Sequence, residues 1–273
     1  MIKKFCFRFF CECFFIIINK SNNYKYKIYL LNILLRFQSL IPLSLKEKIY
    51  TDKHLFSNLN YQHVAPLIKK GPLVSIIVTY YDNHNLINYS IYSLVNQTYK
   101  NIQIIIVFDG CKPSNIKCIK QKFKKYKCIE FITLKKNIGN ALAKNKAIPY
   151  IRGKYVTVHD SDDIAHPQKI ELHTEEILRD PSFLGSVSYW LRLNKKFEIQ
   201  NIKKKFLNTR INPSSLLFHK KILNKYKYEN LKKGNDYLFL KKITEKRIGS
   251  VKIINKHLTI GSFRKLSISN KFN

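Results

Sequence analysis

Lys154-Tyr155-Val156-Thr157-Val158-His159-Asp160-Ser161-Asp162-Asp163 is the stretch from which the rest of the chain is best read. Val156, Thr157 and Val158 suit a packed, pleated strand. The strand ends in three carboxylates within four residues, which repel one another unless a cation holds them. A hard divalent ion, Mg²⁺ or Mn²⁺, takes carboxylate oxygens as ligands, and a nucleotide diphosphate would complete its shell. The plainer reading is an Asp-rich turn in which Asp163 caps the next helix.

Upstream of this stretch, strand and helix patterns alternate. Val74 to Tyr80 is an apolar run of strand length, as expected for a strand buried on both faces. Leu86, Ile87, Ile91, Leu94 and Val95 then recur at helical spacing. Ile102 to Phe108 gives a second strand, closed by Asp109-Gly110. Pro113 marks the start of a helix with Ile116, Ile119 and Phe123 inward. Cys128 to Leu134 is a third strand, and a helix from about Asn140 to Ile148 leads to Tyr155. This order predicts an α/β fold, a mostly parallel sheet flanked by helices. Such sheets bind ligands beyond the carboxyl ends of their strands. Thr79 to Asp82, Asp109 and Asp160 to Asp163 all fall there, so they should meet at one crevice.

The chain has 273 residues, 45% of them hydrophobic, enough for a substantial core. Its 50 Lys and Arg against 17 Asp and Glu give a formal charge of +33. That favours anionic partners: a nucleotide-linked substrate, nucleic acid or an anionic membrane surface. No C-x-x-C pair occurs among the six cysteines, which removes zinc ribbons and redox dithiols. Cys118 and Cys128 read as core thiols, and a reducing cytoplasm suits this usage. Residues 5–18 are apolar but shorter than the roughly 20 residues of a spanning helix. Lys20, Lys25 and Lys27, mixed with Tyr24, Tyr26 and Tyr29, suit a helix at an anionic membrane surface, such as the inner face of the cell membrane, or equally a packed helix or a poorly ordered leader. A second apolar run, Ile28 to Phe37, also has helical spacing. Residues 1–70 therefore read as a helical N-terminal extension, and 71–273 as the main domain.

No G-x-x-x-x-G-K-[ST], G-x-G-x-x-G or G-x-S-x-G is present, which sets aside P-loop, dinucleotide and α/β-hydrolase chemistry. Instead an ordered set of pieces stands between residues 73 and 168: V-S-I-I-V-T-Y-Y, S-L-V-N-Q-T-Y-K-N-I-Q-I-I-I-V, F-D-G-C, N-I-G-N-A-L-A-K-N-K-A-I and G-K-Y-V-T-V-H-D-S-D-D. Together they resemble the family 2 glycosyltransferases, inverting enzymes with a GT-A fold. His166-Pro167-Gln168-Lys169-Ile170-Glu171 is similar to a subgroup from surface-polysaccharide (capsule and lipopolysaccharide) loci.

The resemblance implies a nucleotide-sugar donor, bound through Thr79, Tyr81, Asp109, Asn137 and Lys144, and a divalent cation held by Asp160 and Asp162. It divides the domain into a donor half, 71–168, and an acceptor half, 169–273. The chain departs from the family at Phe108, where an aspartate is usual, at Cys111 for serine, and at Lys144 for arginine. A lysine meets a phosphate as a point charge and not bidentately.

In the second half, residues 184–193 and 214–218 alternate like strands, and Asn235-Asp236 opens a helix through Ile243 to Gly249. An inverting transfer needs one carboxylate to take the proton of the attacking hydroxyl. The resemblance assigns this to Asp236, with Glu229 as the second candidate; as a plain helix residue, Asp236 would simply favour the dipole. Trp190 reads as a core residue or a sugar platform. The expected acceptor is a glycan or lipid-linked hydroxyl. Two other classes remain at this stage: a catalytically silent relative acting as a membrane or interaction protein, and a nucleic-acid-binding protein. Against the second, no helix-turn-helix, zinc-finger or RNP-like pattern stands out, so no nucleic acid is expected.

Overall fold

The computed structural model describes residues 20–45, 56, 59–60, 70–82, 85–194, 196–199, 211–231, 233–245 and 250–263. The apolar run at 5–18 and the 246–249 end of the last expected helix lie outside them.

The strands are β1 (Ser44–Leu45), β2 (Leu59–Asn60), β3 (Val74–Tyr80), β4 (Ile102–Asp109), β5 (Ile129–Leu134), β6 (Tyr155–Val158), β7 (Asp163–Ala165), β8 (Gly185–Leu193), β9 (Ile211–His219) and β10 (Val251–Ser262). The helices are α1 (Tyr24–Phe37), α2 (Ile87–Val95), α3 (Pro113–Phe123), α4 (Asn140–Ala147), α5 (Lys169–Arg179), α6 (Ile222–Lys225) and α7 (Asn235–Glu245). β1 and β2 form a small antiparallel pair; the other strands build one eight-stranded sheet, ordered β5-β4-β3-β6-β9-β8-β10-β7.

β5, β4, β3 and β6 are parallel, as their buried apolar runs and intervening helices require. Beyond β6 the sheet becomes mixed: β9 is antiparallel to both β6 and β8, β10 is parallel to β8, and β7 is antiparallel to β10. Alternation sorts the side chains of the parallel half between two cores. Ile76, Val78, Ile104, Ile106 and Phe108 pack with Ile91, Leu94, Ile119, Phe123 and Ile170, so α2, α3 and α5 cover one face. Ile77, Ile105, Val107, Val156 and Val158 pack with Ala143, Ala147, Phe239 and Ile243, so α4 and α7 share the other. Each fully buried aliphatic side chain contributes on the order of 2 kcal/mol.

α1 is not a detached arm. Ile28, Leu31, Leu34 and Leu35 join Leu191, Leu193, Leu258 and Ile260 in a third core. Lys27, read from sequence as membrane-facing, lies in this same helical phase. It is buried, and its Nζ donates to the Lys196 carbonyl at 2.7 Å. Burial lowers its pKa. Lys25, Tyr26, Tyr29, Arg36 and Phe37 are exposed. Among the described residues no helix is long and apolar enough to cross a membrane.

Two further expectations are corrected. Cys118 is exposed, because Ile119 and Phe123 take the inner face of α3. Cys111 is the buried thiol, its Sγ–H donating to the Tyr80 carbonyl at 3.2 Å. Asp163 caps no helix. It opens β7, pairs with Gly261 of β10 and accepts from the Ser262 amide at 3.2 Å, while α5 begins at Lys169.

Candidate functional site

The site begins where β4 ends. Asp109 is buried, and its carboxylate accepts from the Ile138 amide at 2.8 Å and the Gly139 amide at 3.0 Å. The same Gly139 amide also donates to Asn137 Oδ1, at 3.1 Å. Gly110 makes this approach feasible. Its φ is 72°, and a Cβ there would stand 2.2 Å from the Asn137 nitrogen. The turn so fixed leads directly into α4. Asn140, its first residue, accepts from the Thr79 hydroxyl at 2.8 Å, joining the end of β3 to the same loop. Tyr81 stands exposed just beyond β3.

One helical turn later, Lys144 faces α7. Its Nζ donates to both Asp236 oxygens, at 2.6 and 2.8 Å, and to Asn235 Oδ1 at 3.2 Å. The pair forms because α4 and α7 lie side by side over the same sheet face. Lys144 has only 3% of its side chain exposed, Asp236 16%. Ser214 of β9 donates to Asp236 Oδ2 at 3.2 Å, and Tyr228 lies beneath Lys144, with Nζ 5.1 Å from its ring centroid. Asn145 holds Tyr228 by a reciprocal pair of bonds to its backbone, at 2.8 and 3.0 Å. Burial raises the Tyr228 pKa well above its usual value, as do the charges of Asp236 and Asp160.

The aspartate turn closes this cluster. Asp160 is pushed up to about 6, first by burial and then by the charges of Asp236 and Asp162, with Lys144 and a Ser214 hydrogen bond opposing. Lys144, Asp236 and Asp162, from three separate stretches of chain, thus all act on Asp160. Asp163 points away, toward Arg192 and β10, and its pKa is raised well above normal, chiefly by burial.

Behind the turn lies a buried cation that sequence reading passed over. Lys169 Nζ sits 3.3 Å from His159 Nδ1, and His159 Nε2 lies 3.2 Å from the Asp163 carbonyl. Burial lowers Lys169 to about 8, against the pull of Asp163 and Asp160. Two residues on, Glu171 accepts from Thr98 Oγ1 at 2.7 Å, wholly buried. The charged letters of His166 to Glu171 are therefore interior supports of the turn. Ser214 and Tyr228 were also unread; a serine in an apolar strand and a tyrosine before a helix carry no local signal.

Of the other candidates, Glu229 is bound to Lys242, outside the Lys144–Asp236 cluster. Trp190 is half-buried under the Arg192 guanidinium, 5.1 Å from its ring. Phe108 is fully buried on the face opposite Asp109, stacked on Phe131 at 5.9 Å. Its departure from the family pattern therefore changes the core and leaves the crevice untouched.

The profile described as "Glycosyl transferase family 2" matches residues 75–235. An uncharacterized glycosyltransferase of Methanocaldococcus jannaschii is 36% identical over 185 residues, covering 62% of this chain and 63% of that protein. A chondroitin synthase of Escherichia coli is 31% identical over 115 residues, 42% of this chain and 17% of that one. The chain spans less than two thirds of the length of these curated relatives. Among solved structures, S. aureus TarS 1-349 in complex with UDP-GlcNAc superposes with a TM-score of 0.59 at 16% identity, over 73% of this chain and 61% of that one. That likeness establishes the fold as GT-A. With the profile covering more than half of its length, the chain belongs to glycosyltransferase family 2.

Proposed function

We propose that this chain transfers a sugar, with inversion, from a nucleotide-sugar donor to a hydroxyl of a glycan or lipid-linked acceptor in the synthesis of a bacterial surface polysaccharide. The observation that carries the reading is the gathering of Asp160, Asp162, Asp236 and Lys144 beyond the carboxyl end of a parallel sheet. Relatives named as polysaccharide synthases and a structural neighbour holding UDP-GlcNAc support the substrate class. Residues 71–168 would serve the donor and 169–273 the acceptor. Thr79, Tyr81, Asp109 and Asn137 would shape the nucleoside end of the crevice, and Lys144 would meet the diphosphate.

Asp236 would take the proton of the acceptor hydroxyl. The freed oxygen bonds to the anomeric carbon as the bond from that carbon to the diphosphate oxygen breaks, and the electron pair leaves with the nucleotide. Holding both partners in line supplies much of the rate.

The residues fit a divalent cation. Among the described residues no three His, Cys, Asp or Glu side chains form a ready cage. Ions of the Mg²⁺ type, however, bind through one or two carboxylates completed by substrate phosphates. Asp160, raised to about 6 in a cluster short of positive charge, offers such oxygens together with Asp162. When bound, the ion would neutralise charge on the departing diphosphate.

Lys25, Tyr26, Tyr29 and Phe37 form a basic, aromatic exposed face on α1, and we place this face against the anionic inner surface of the cell membrane. Flotation with vesicles containing phosphatidylglycerol, and not with phosphatidylcholine alone, is the expected result; equal behaviour with both removes the assignment.

The activity is tested by screening nucleotide sugars with and without Mn²⁺ for release of the nucleoside diphosphate and transfer to acceptor. Release that disappears in Asp162→Ala, with folding unchanged, supports the reading. A folded chain that binds and turns over no nucleotide sugar would sink it.

A further inference from the structure

We infer that Lys144 restrains Asp236 in the donor-free enzyme and that the donor diphosphate releases it, so that the base becomes available only after the donor is seated. The inference rests on the assignment of Asp236 as base and Lys144 as diphosphate contact. What it adds is that these are two competing claims on one ammonium group.

The geometry is specific. Lys144 spends its hydrogens on Asp236 Oδ1 at 2.6 Å, Asp236 Oδ2 at 2.8 Å and Asn235 Oδ1 at 3.2 Å. An ammonium has three hydrogens and no acceptor, so a fourth strong partner must displace one of these. The lysine is nearly inaccessible and rests over the Tyr228 ring, which Asn145 clamps by two backbone bonds. Asp236 in turn has one oxygen shared with Ser214 at 3.2 Å. A carboxylate whose oxygens both accept from a cation is a poor acceptor for a hydroxyl proton. A diphosphate brings more charge to the same ammonium than one carboxylate can. When Lys144 turns to it, Asp236 keeps Ser214 and gains free lone pairs toward the acceptor. Lysine suits this exchange better than arginine, because a point charge on a flexible stem can change partners without matching a fork geometry. The consequence is ordered action: a nucleotide-free site holds no active base.

The test uses binding, and so does not depend on turnover. Affinity is measured by calorimetry for whichever of UDP, GDP, CDP and TDP binds the full-length protein, in wild type, Asp236→Asn, Lys144→Met and the double variant. Asp236→Asn should bind about tenfold more tightly than wild type, because Lys144 no longer has to be won from a carboxylate. In the Lys144→Met background the same change should give no gain. A gain of equal size in both backgrounds would reflect only relief of charge repulsion and would overturn the proposal, as would no gain in either. Lys144→Arg keeps the charge and should keep the gain. If Lys144→Met fails to fold, Lys144→Gln takes its place with the same expected outcome. A folded wild type that binds none of the four nucleotides removes the donor assignment itself, a result distinct from binding without coupling.

Discussion

Asp109 and Gly139 are held together by a partly buried hydrogen bond of 3.0 Å, which turns a carboxylate at the end of a strand into the fastener of the loop that launches α4. Asp109→Ala should leave the Ile138 and Gly139 amides without their partner. The expected cost is about 1–3 kcal/mol in denaturant unfolding, with weaker nucleoside diphosphate binding. Gly110→Ala should give both effects through strain and collision with Asn137. Unchanged unfolding curves for both would show that the loop is held otherwise.

Phe108 offers a test of which face matters. Phe108→Asp restores the residue usual in the family but would set a buried charge among Tyr80, Phe131 and Ile106. Among the described residues the one cation against the ring is Lys120, its Nζ 6.0 Å from the centroid. We expect a loss above roughly 4 kcal/mol and no gain in nucleotide affinity. A stable variant with tighter binding would place position 108 in the crevice after all.

Asp160 exchanges stability for charge. Its carboxyl is raised to about 6, so its folded-state disadvantage is absent below the unfolded value of about 3.9 and grows until pH passes 6. Asp160→Asn should therefore melt about a few degrees higher than wild type at pH 8, the gap closing toward pH 4. The same variant should lose transfer activity. A lower melting point at pH 8 would contradict the charge cluster.

Acid sensitivity should come from interior histidines. His173, between the Ser186 and Ser188 hydroxyls, is lowered to about 3, and His166 and His257 to about 4, each mainly by burial. Their unfolded values lie near 6.5, so the unfolded chain binds more protons below that pH. Stability should be complete above about 6.5 and fall steadily toward pH 4, by roughly 2 kcal/mol per histidine at pH 5. His173→Gln should flatten that slope. A melting temperature level from pH 7 to 5 would contradict the prediction.

Asp236→Asn should lower the transfer rate by roughly 100- to 10,000-fold, the usual worth of a general base, while donor binding persists. A parental rate would hand the role to another group.

The parallel half was legible because each buried run was followed by a helix with one apolar face, two periods that local sequence displays openly. In the second half β8, β9 and the start of α7 were legible too, but β10 and β7 were not. β10 carries register shifts between Ile254 and His257 and again before Thr259, which break its alternation, and β7 is only three residues long. Asp160, Asp162 and Asp163 are chemically identical letters. Only pairing with β10, whose Gly261 lies about 100 residues away in sequence, turns Asp163 inward and sets it apart from the other two. The resemblance singled out Lys144, but its Asp236 partner was not legible, since nothing in α4 names α7.

The four residues between β6 and β7 join the fourth strand of the sheet to the eighth, so the sheet must curl round on itself. This bears on recombination among relatives. A chimera cut at residue 168, where the two linear halves meet, would take its edge strand from one parent and the β10 that must receive it from the other. The exchangeable cassette is therefore not the linear second half: it must include residues 163–165 and should be cut within the turn.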